Sequence, residues 1–229
     1  MNDIKLCIFD VDGVLVNTRD LHYPATAAAL AEYGCGYLRK EDEDFGTIPT
    51  RQKLNHLAES GRINVEDVDN IWDLKDDYAC VYFQDAIKLN RNIKPLFEEL
   101  RSRDIFIALA SNARYSFLEK VINALDINHL VNDTVSAQGM IPKPNPFMYI
   151  KEMYTFGVGP ESTLIFEDSE VGRQAAYASG AWVYEVESFD ELSIDILNET
   201  HCSQGQFKWS ESIHRESPRS NYPVYRKWR

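Results

Sequence analysis

Cys7-Ile8-Phe9-Asp10-Val11-Asp12-Gly13-Val14-Leu15-Val16-Asn17-Thr18 is the stretch that decides how this chain is read. A short apolar segment with the composition of a strand ends in two carboxylates one residue apart, followed by a glycine. Side chains at i and i+2 of an extended segment point the same way. Asp10 and Asp12 therefore converge on one spot at the C-terminal end of a strand. Like charges held that close repel unless something offsets them. A divalent cation does so, and Mg²⁺ favours carboxylate oxygens together with water and phosphate oxygens. An aspartate in such a place can also attack phosphorus as a nucleophile. The plainer alternative is a strand that ends in a solvated acidic turn. A calcium loop is disfavoured, because Val14-Leu15-Val16 stand where that loop needs oxygen ligands.

Three more stretches follow in order. Ile105-Phe106-Ile107-Ala108-Leu109-Ala110-Ser111-Asn112 is a continuous apolar run, the pattern of a buried parallel strand. It leads into a helical stretch from about Tyr115 to Leu125. A hydroxyl and backbone N–H groups at such a junction suit a phosphate, and they equally suit a helix cap. Pro142-Lys143-Pro144-Asn145-Pro146 presents a lysine from a loop stiffened by prolines. That lysine is either a neutralising cation or a solvated loop residue. Thr163-Leu164-Ile165-Phe166-Glu167-Asp168-Ser169-Glu170-Val171-Gly172 is a short strand, an acidic pair and the start of a helix with small residues at Ala175, Ala176, Ala178 and Gly180. Acids at a helix N-terminus are favoured by its dipole in any case, but this pattern is longer than a helix start requires.

Each stretch is ambiguous alone. Together, in this order, they resemble the haloacid dehalogenase-like (HAD) hydrolases of subfamily I, the group of phosphoglycolate phosphatase-like and β-phosphoglucomutase-like enzymes. The resemblance covers about residues 4 to 187, with Asn17 standing where many relatives have aspartate. It implies an α/β fold, a Rossmann-like doubly wound parallel sheet with an inserted helical cap. It also implies a Mg²⁺-dependent phosphatase that acts on a small phosphorylated metabolite through an aspartyl-phosphate. By this resemblance Asp10 is the nucleophile and Asp12 the acid and base. The metal ligands are Asp10, the Asp12 backbone carbonyl and Asp168, with Glu167 supplementary. Ser111 and Lys143 hold the phosphoryl group, and Asn112 adds a contact.

The strand candidates 4–9, 105–110, 130–135, 163–167 and 182–186 alternate with helices at 92–103, 114–125, 145–156 and 170–179. That alternation independently predicts a parallel sheet with ligands at the C-terminal strand ends. The core is expected over 1–18 and 90–187. Residues 19–89 break the alternation and read as helices over 23–34, 50–60 and 65–86, the expected cap. Within it, Gly46-Thr47-Ile48-Pro49-Thr50-Arg51 resembles the family's substrate-facing cap segment, so Arg51 is a candidate for an anionic substrate group or else a surface arginine.

Hydrophobic residues form 44% of 229, enough for a sizeable core. The run Ile4–Phe9 is too short and too closely bracketed by acids for a signal peptide, and no stretch reaches the length of a membrane span. Cys7, Cys35, Cys80 and Cys202 form no CxxC pair, which predicts reduced cysteines and a cytoplasmic protein without a zinc site. The net charge of −12 disfavours nucleic acid as a partner of the body. It is uneven: residues 201–229 carry +4 and residues 1–200 carry −16. In the C-terminal extension, 188–229, a helix is expected over 191–200. Beyond it, Gly205, Pro218 and Pro223 argue against regular structure. Basic residues there interleave with Phe207, Trp209, Tyr222, Tyr225 and Trp228. The expectation is that this tail docks on the acidic body, with single-stranded nucleic acid the runner-up partner. The alternatives to a phosphatase are a phosphomutase on the same site and a catalytically degenerate binding module. Neither the oligomeric state nor the substrate can be read from the residues.

Overall fold

The computed structural model describes residues 4–36, 50–197 and 213–214. Five parallel strands carry the core: β1 (Leu6–Phe9), β4 (Phe106–Ser111), β5 (Asp133–Ser136), β6 (Thr163–Glu167) and β7 (Trp182–Glu185). Two short strands, β2 (Val16–Asn17) and β3 (Lys88–Leu89), pair with each other where the chain leaves the core and re-enters it. β8 (Ile213–His214) adds an antiparallel edge to β7. The order is β5-β4-β1-β6-β7-β8. The chain winds outward from β1 through β4 to β5, then returns to the other side of β1 for β6 and β7. The direction of winding reverses between β1 and β6, and in open α/β sheets ligands bind outside the strand ends at such a point.

The strands are apolar on both faces because helices cover both. Leu6 and Ile8, with Ala108, Ala110 and Ile165, face α6 (Phe147–Phe156) and α7 (Glu170–Ser179). Alternate residues face the other side, where Phe9 stacks on Phe166 at 4.3 Å and meets Phe97 of α4 (Ile93–Ser102) at 4.8 Å. α5 (Tyr115–Leu125) buries Phe117, Leu118 and Val121 and ends at Asp126 in the left-handed conformation. This is the doubly wound sheet expected from the strand and helix alternation. β5 starts three residues later than expected, because Leu130 and Val131 N–H groups close a turn on the Ile127 carbonyl.

The chain divides into two units, residues 1–16 with 89–229, and residues 17–88. The second is helical: α1 (Arg19–Glu32), α2 (Thr50–Glu59), a 3₁₀ turn at Val65–Asp67 and α3 (Val68–Ala86). Its own core joins Ala29, Leu30, Leu54, Leu57 and Ile71. α1 begins four residues before the alanine-rich run that marks it in the sequence, and Pro24 lies within it. The segment expected to be helical over 191–200 is a 3₁₀ turn at Ile194–Leu197 in its described part. Buried Asn90 fastens this segment to the core, donating to the Phe189 and Leu192 carbonyls at 2.7 and 2.9 Å. β8 corrects the expectation of no regular structure in the tail: two residues there supply backbone partners for Val183 and Tyr184. Gly46–Pro49 and the aromatic residues of the tail lie outside the described residues.

Cys7, Cys35 and Cys80 are free thiols. Burial pushes the Cys7 thiol far up, which makes it an inert core residue. Among the described residues no helix is long and apolar enough to cross a membrane.

Candidate active site

The sheet register builds the site. Phe9 pairs with Phe166 across β1 and β6, so the next residues on the two strands are Asp10 and Glu167. The Asp10 N–H donates to the Phe166 carbonyl at 3.0 Å and holds that register past the strand end. By alternation Asp10 follows Ile8, and Glu167 follows Ile165, on the α6 face. One ligand atom from each of Asp10, Glu167 and Asp168 lies within 4.8 Å of the others. Asp10 and Glu167 are buried, and Asp168 is partly exposed.

Lys143 enters this acidic cluster from the loop between β5 and α6, after which Lys143–Pro144 is a cis peptide. Its Nζ donates to Asp10 Oδ1 at 2.6 Å, Glu167 Oε1 at 2.5 Å and the Ala110 carbonyl at 2.8 Å. All three ammonium donors are thus engaged. Burial disfavours the lysine's charge, but Asp10 and Glu167 outweigh it and hold the group above its ordinary value. Asp10 is pushed well above the usual carboxylate range by burial and by Glu167, with Lys143 opposing and Asp168 adding to the shift. Burial, Glu167 and Asp12 push Asp168 up to about 6. One ammonium does not balance this concentration of acid.

Asp12 sits in a tight turn after β1. The Val11 carbonyl accepts from the Leu15 and Val16 N–H groups, and the Gly13 N–H donates to the Val16 carbonyl at 2.7 Å. Gly13 has φ +81°, and a Cβ there would lie 1.9 Å from Asp168 Oδ2. The glycine of the first motif therefore serves the turn and also makes room for the acid of the last one. Gly172 does the same for Glu167: a Cβ on it would lie 1.9 Å from Oε2. α7 is capped by Ser169, whose Oγ accepts from the Gly172 N–H at 3.0 Å and donates to Glu167 Oε2 at 3.4 Å.

Ser111 ends β4, buried, with its Oγ accepting from the Ala113 N–H at 3.1 Å. In this state it braces the turn before α5 and does not cap that helix, whose N-cap is Arg114. Asn112 reaches the loop that carries Lys143. Its Oδ1 accepts from the Lys143 N–H at 2.9 Å and its Nδ2 donates to the Lys143 carbonyl at 3.3 Å, so its side chain clamps the main chain of the lysine. Arg51 belongs to the helical unit. It pairs with Asp69, and its guanidinium lies 5.2 Å from the Trp72 ring centroid.

Two residues of the site escape the sequence reading. Tyr149 of α6 is fully buried and its hydroxyl donates to Glu167 Oε1. Burial and the neighbouring Glu167 and Asp10 raise its phenol well above the ordinary value, so it is protonated and a donor. Arg173 of α7 donates from Nη1 to the Asp168 carbonyl at 2.7 Å, and its Nε lies 3.6 Å from Glu185 of β7. A polar tip on a buried helical position is the signal for the first. The second carries no signal that separates it from a surface arginine.

Asp168 Oδ1 is buried without a hydrogen-bond partner among the described residues. Three converging carboxylates and an orphaned oxygen fit a hard divalent cation with oxygen ligands.

The chain is similar to known proteins. The profile of the family described as haloacid dehalogenase-like hydrolase matches residues 7–186. A phosphorylated carbohydrates phosphatase of Thermotoga maritima is 28% identical over 178 residues, 77% of this chain and 82% of the relative. A β-phosphoglucomutase of Bacillus subtilis is 25% identical over 191 residues, 80% and 83% of the two chains. The crystal structure of CbbY from Rhodobacter sphaeroides in complex with phosphate superposes with a TM-score of 0.71 at 21% identity, over 82% of this chain and 96% of that one. With its family match spanning most of the chain and its acids meeting at the switch point of the sheet, this chain belongs to the haloacid dehalogenase-like hydrolases, in subfamily I.

Proposed function

We propose that the protein is a Mg²⁺-dependent phosphatase that hydrolyses a small phosphorylated metabolite through an aspartyl-phosphate on Asp10. The observation that carries this reading is the Asp10 carboxylate at the switch point, 2.6 Å from the Lys143 ammonium and clustered with Glu167 and Asp168. Asp10, Asp168, Glu167 and the Asp12 backbone carbonyl would hold the ion. When bound, Mg²⁺ neutralises charge on the nucleophile and the phosphoryl oxygens.

The chain's residues do the rest. The Asp10 carboxylate attacks phosphorus, an O–P bond forms, and the bond to the leaving oxygen breaks in line. Asp12 gives that oxygen a proton. Asp12 then takes a proton from the water that attacks the aspartyl-phosphate, which restores Asp10 and releases inorganic phosphate. Lys143 neutralises the nucleophile and, on giving up one of its three bonds, the transferring group, and positioning with charge neutralisation supplies most of the catalysis in such transfers. Asn112 keeps Lys143 in place through its main chain. The Ser111 hydroxyl turns from the Ala113 N–H toward a phosphoryl oxygen.

The helical unit 17–88 is assigned the part of a cap that selects the substrate. Arg51 is its proposed anion contact, and Asp69, a 73% exposed partner, is the group that an anionic substrate would replace.

The test is phosphate release from a panel of phosphorylated metabolites and a small aryl phosphate, with Mg²⁺ and with excess chelator. Release that needs Mg²⁺ and disappears in Asp10→Asn is the expected result. No release from any substrate would overturn the proposal. Isomerised sugar phosphate without inorganic phosphate would replace hydrolysis with a mutase reaction.

A further inference from the structure

Tyr149 has no task in the chemistry just described. Its ring is buried with Leu6, Ile8, Met148 and Ile165, a place that phenylalanine would fill without a polar atom to satisfy. Its hydroxyl donates to Glu167 Oε1, the same oxygen that takes Lys143 Nζ at 2.5 Å, and its ring centroid lies 5.1 Å from that ammonium. Glu167 has no exposed surface, so protein donors must hold its carboxylate. Those donors are Lys143 and Tyr149 on Oε1, with Ser169 at 3.4 Å on Oε2. On the Oε2 side the Gly172 backbone closes the space.

We infer that Tyr149 is a positioning residue of the metal site, acting through Glu167. Its hydroxyl fixes the rotation of the carboxylate and supplies a second donor to Oε1, so that Lys143 can divide its donors between Glu167 and Asp10. Without the hydroxyl, Oε1 depends on Lys143 alone. The lysine is then drawn toward Glu167, and the carboxylate turns away from the geometry it shares with Asp10 and Asp168. Loss of groups that orient metal ligands lowers metal affinity by about 10- to 100-fold. This inference rests on the metal reading given above.

The test is Tyr149→Phe, which keeps the ring and removes the hydroxyl. Mg²⁺ is titrated without substrate and read by thermal unfolding. The Mg²⁺ midpoint should rise by about 10- to 100-fold, read for each protein as the shift from its own metal-free Tm. The same substitution in a Glu167→Gln background should add no further rise, because its effect passes through Glu167. A wild-type midpoint in Tyr149→Phe would overturn the inference, as would independent losses in the double variant. A wild-type protein that Mg²⁺ does not stabilise would overturn the metal reading and this inference with it. A wild-type protein that responds, beside an equally responsive Tyr149→Phe, overturns the inference alone.

Discussion

Gly13→Ala separates backbone strain from site chemistry. Gly13 has φ +81°, and an added Cβ would lie 1.9 Å from Asp168 Oδ2, 2.4 Å from its Cγ and 2.9 Å from its Oδ1. The carboxylate must swing out of the cluster. Gly34 has a similar φ of +68° with nothing within 4 Å of a Cβ, so Gly34→Ala is the matched control. An L-residue in the left-handed region costs about 1–2 kcal/mol. For a chain of this size each kcal/mol lowers Tm by about 2–4 °C, so both variants should lose about 2–8 °C. Only Gly13→Ala displaces a proposed metal ligand. Its Mg²⁺ affinity should fall by at least the ~10- to 100-fold that follows loss of an orienting partner, and phosphate release should fall with it. Thermal unfolding and Mg²⁺-dependent phosphate release on both variants check this. Wild-type activity in Gly13→Ala, or equal activity losses in the two, would refute the reasoning.

Arg173→Leu should raise the Mg²⁺ midpoint by about tenfold, because it removes the donor at 2.7 Å from the Asp168 carbonyl; an unchanged midpoint in a metal titration would count against that role. Arg51→Ala should raise KM for an anionic metabolite and leave kcat for a small aryl phosphate near wild type, and equal kcat losses on both would place Arg51 in the core machinery. Glu152 is fully buried, with Oε1 2.8 Å from Lys151 Nζ and Oε2 without a hydrogen-bond partner among the described residues. Burial raises its carboxyl, with Lys151 opposing and Asp133 adding to the rise. The folded protein therefore keeps this proton to higher pH than the unfolded chain. Its contribution to stability should fall as pH rises above the ordinary glutamate value of about 4.3. Glu152→Gln should flatten that fall in urea unfolding measured across pH, and an unchanged slope would reject the assignment.

Much of the site is legible in the sequence because it follows from local rules. Asp10 and Glu167 end apolar strands, and alternation fixes which face each presents. Parallel pairing of β1 with β6 then makes them neighbours. Lys143 is legible as a stiffened loop lysine, but its three bonds depend on where that loop returns to the sheet. Arg51 illustrates the limit. Its partners Asp69 and Trp72 lie on α3, and nothing in the helix pattern says which residues two helices bring together. Asn112 shows a different one: an asparagine after a strand suits a ligand or a loop, and only the path of residues 142–144 decides that it clamps Lys143. Tyr149 goes unread because its partner is a buried carboxylate on another element, and Arg173 because its partner, five residues back, is a backbone carbonyl that no side-chain pattern marks. The two-residue β8 lies among breakers and has too few residues to show a period of two.

The central claim is that Asp10 carries the phosphoryl group. The direct measurement is a rapid acid quench after mixing enzyme, Mg²⁺ and a ³²P-labelled substrate, followed by mapping of the labelled peptide. The account expects an acyl-phosphate label on the peptide that contains Asp10, with no label and no turnover in Asp10→Asn. A label on another residue, or substantial turnover by Asp10→Asn, would contradict it.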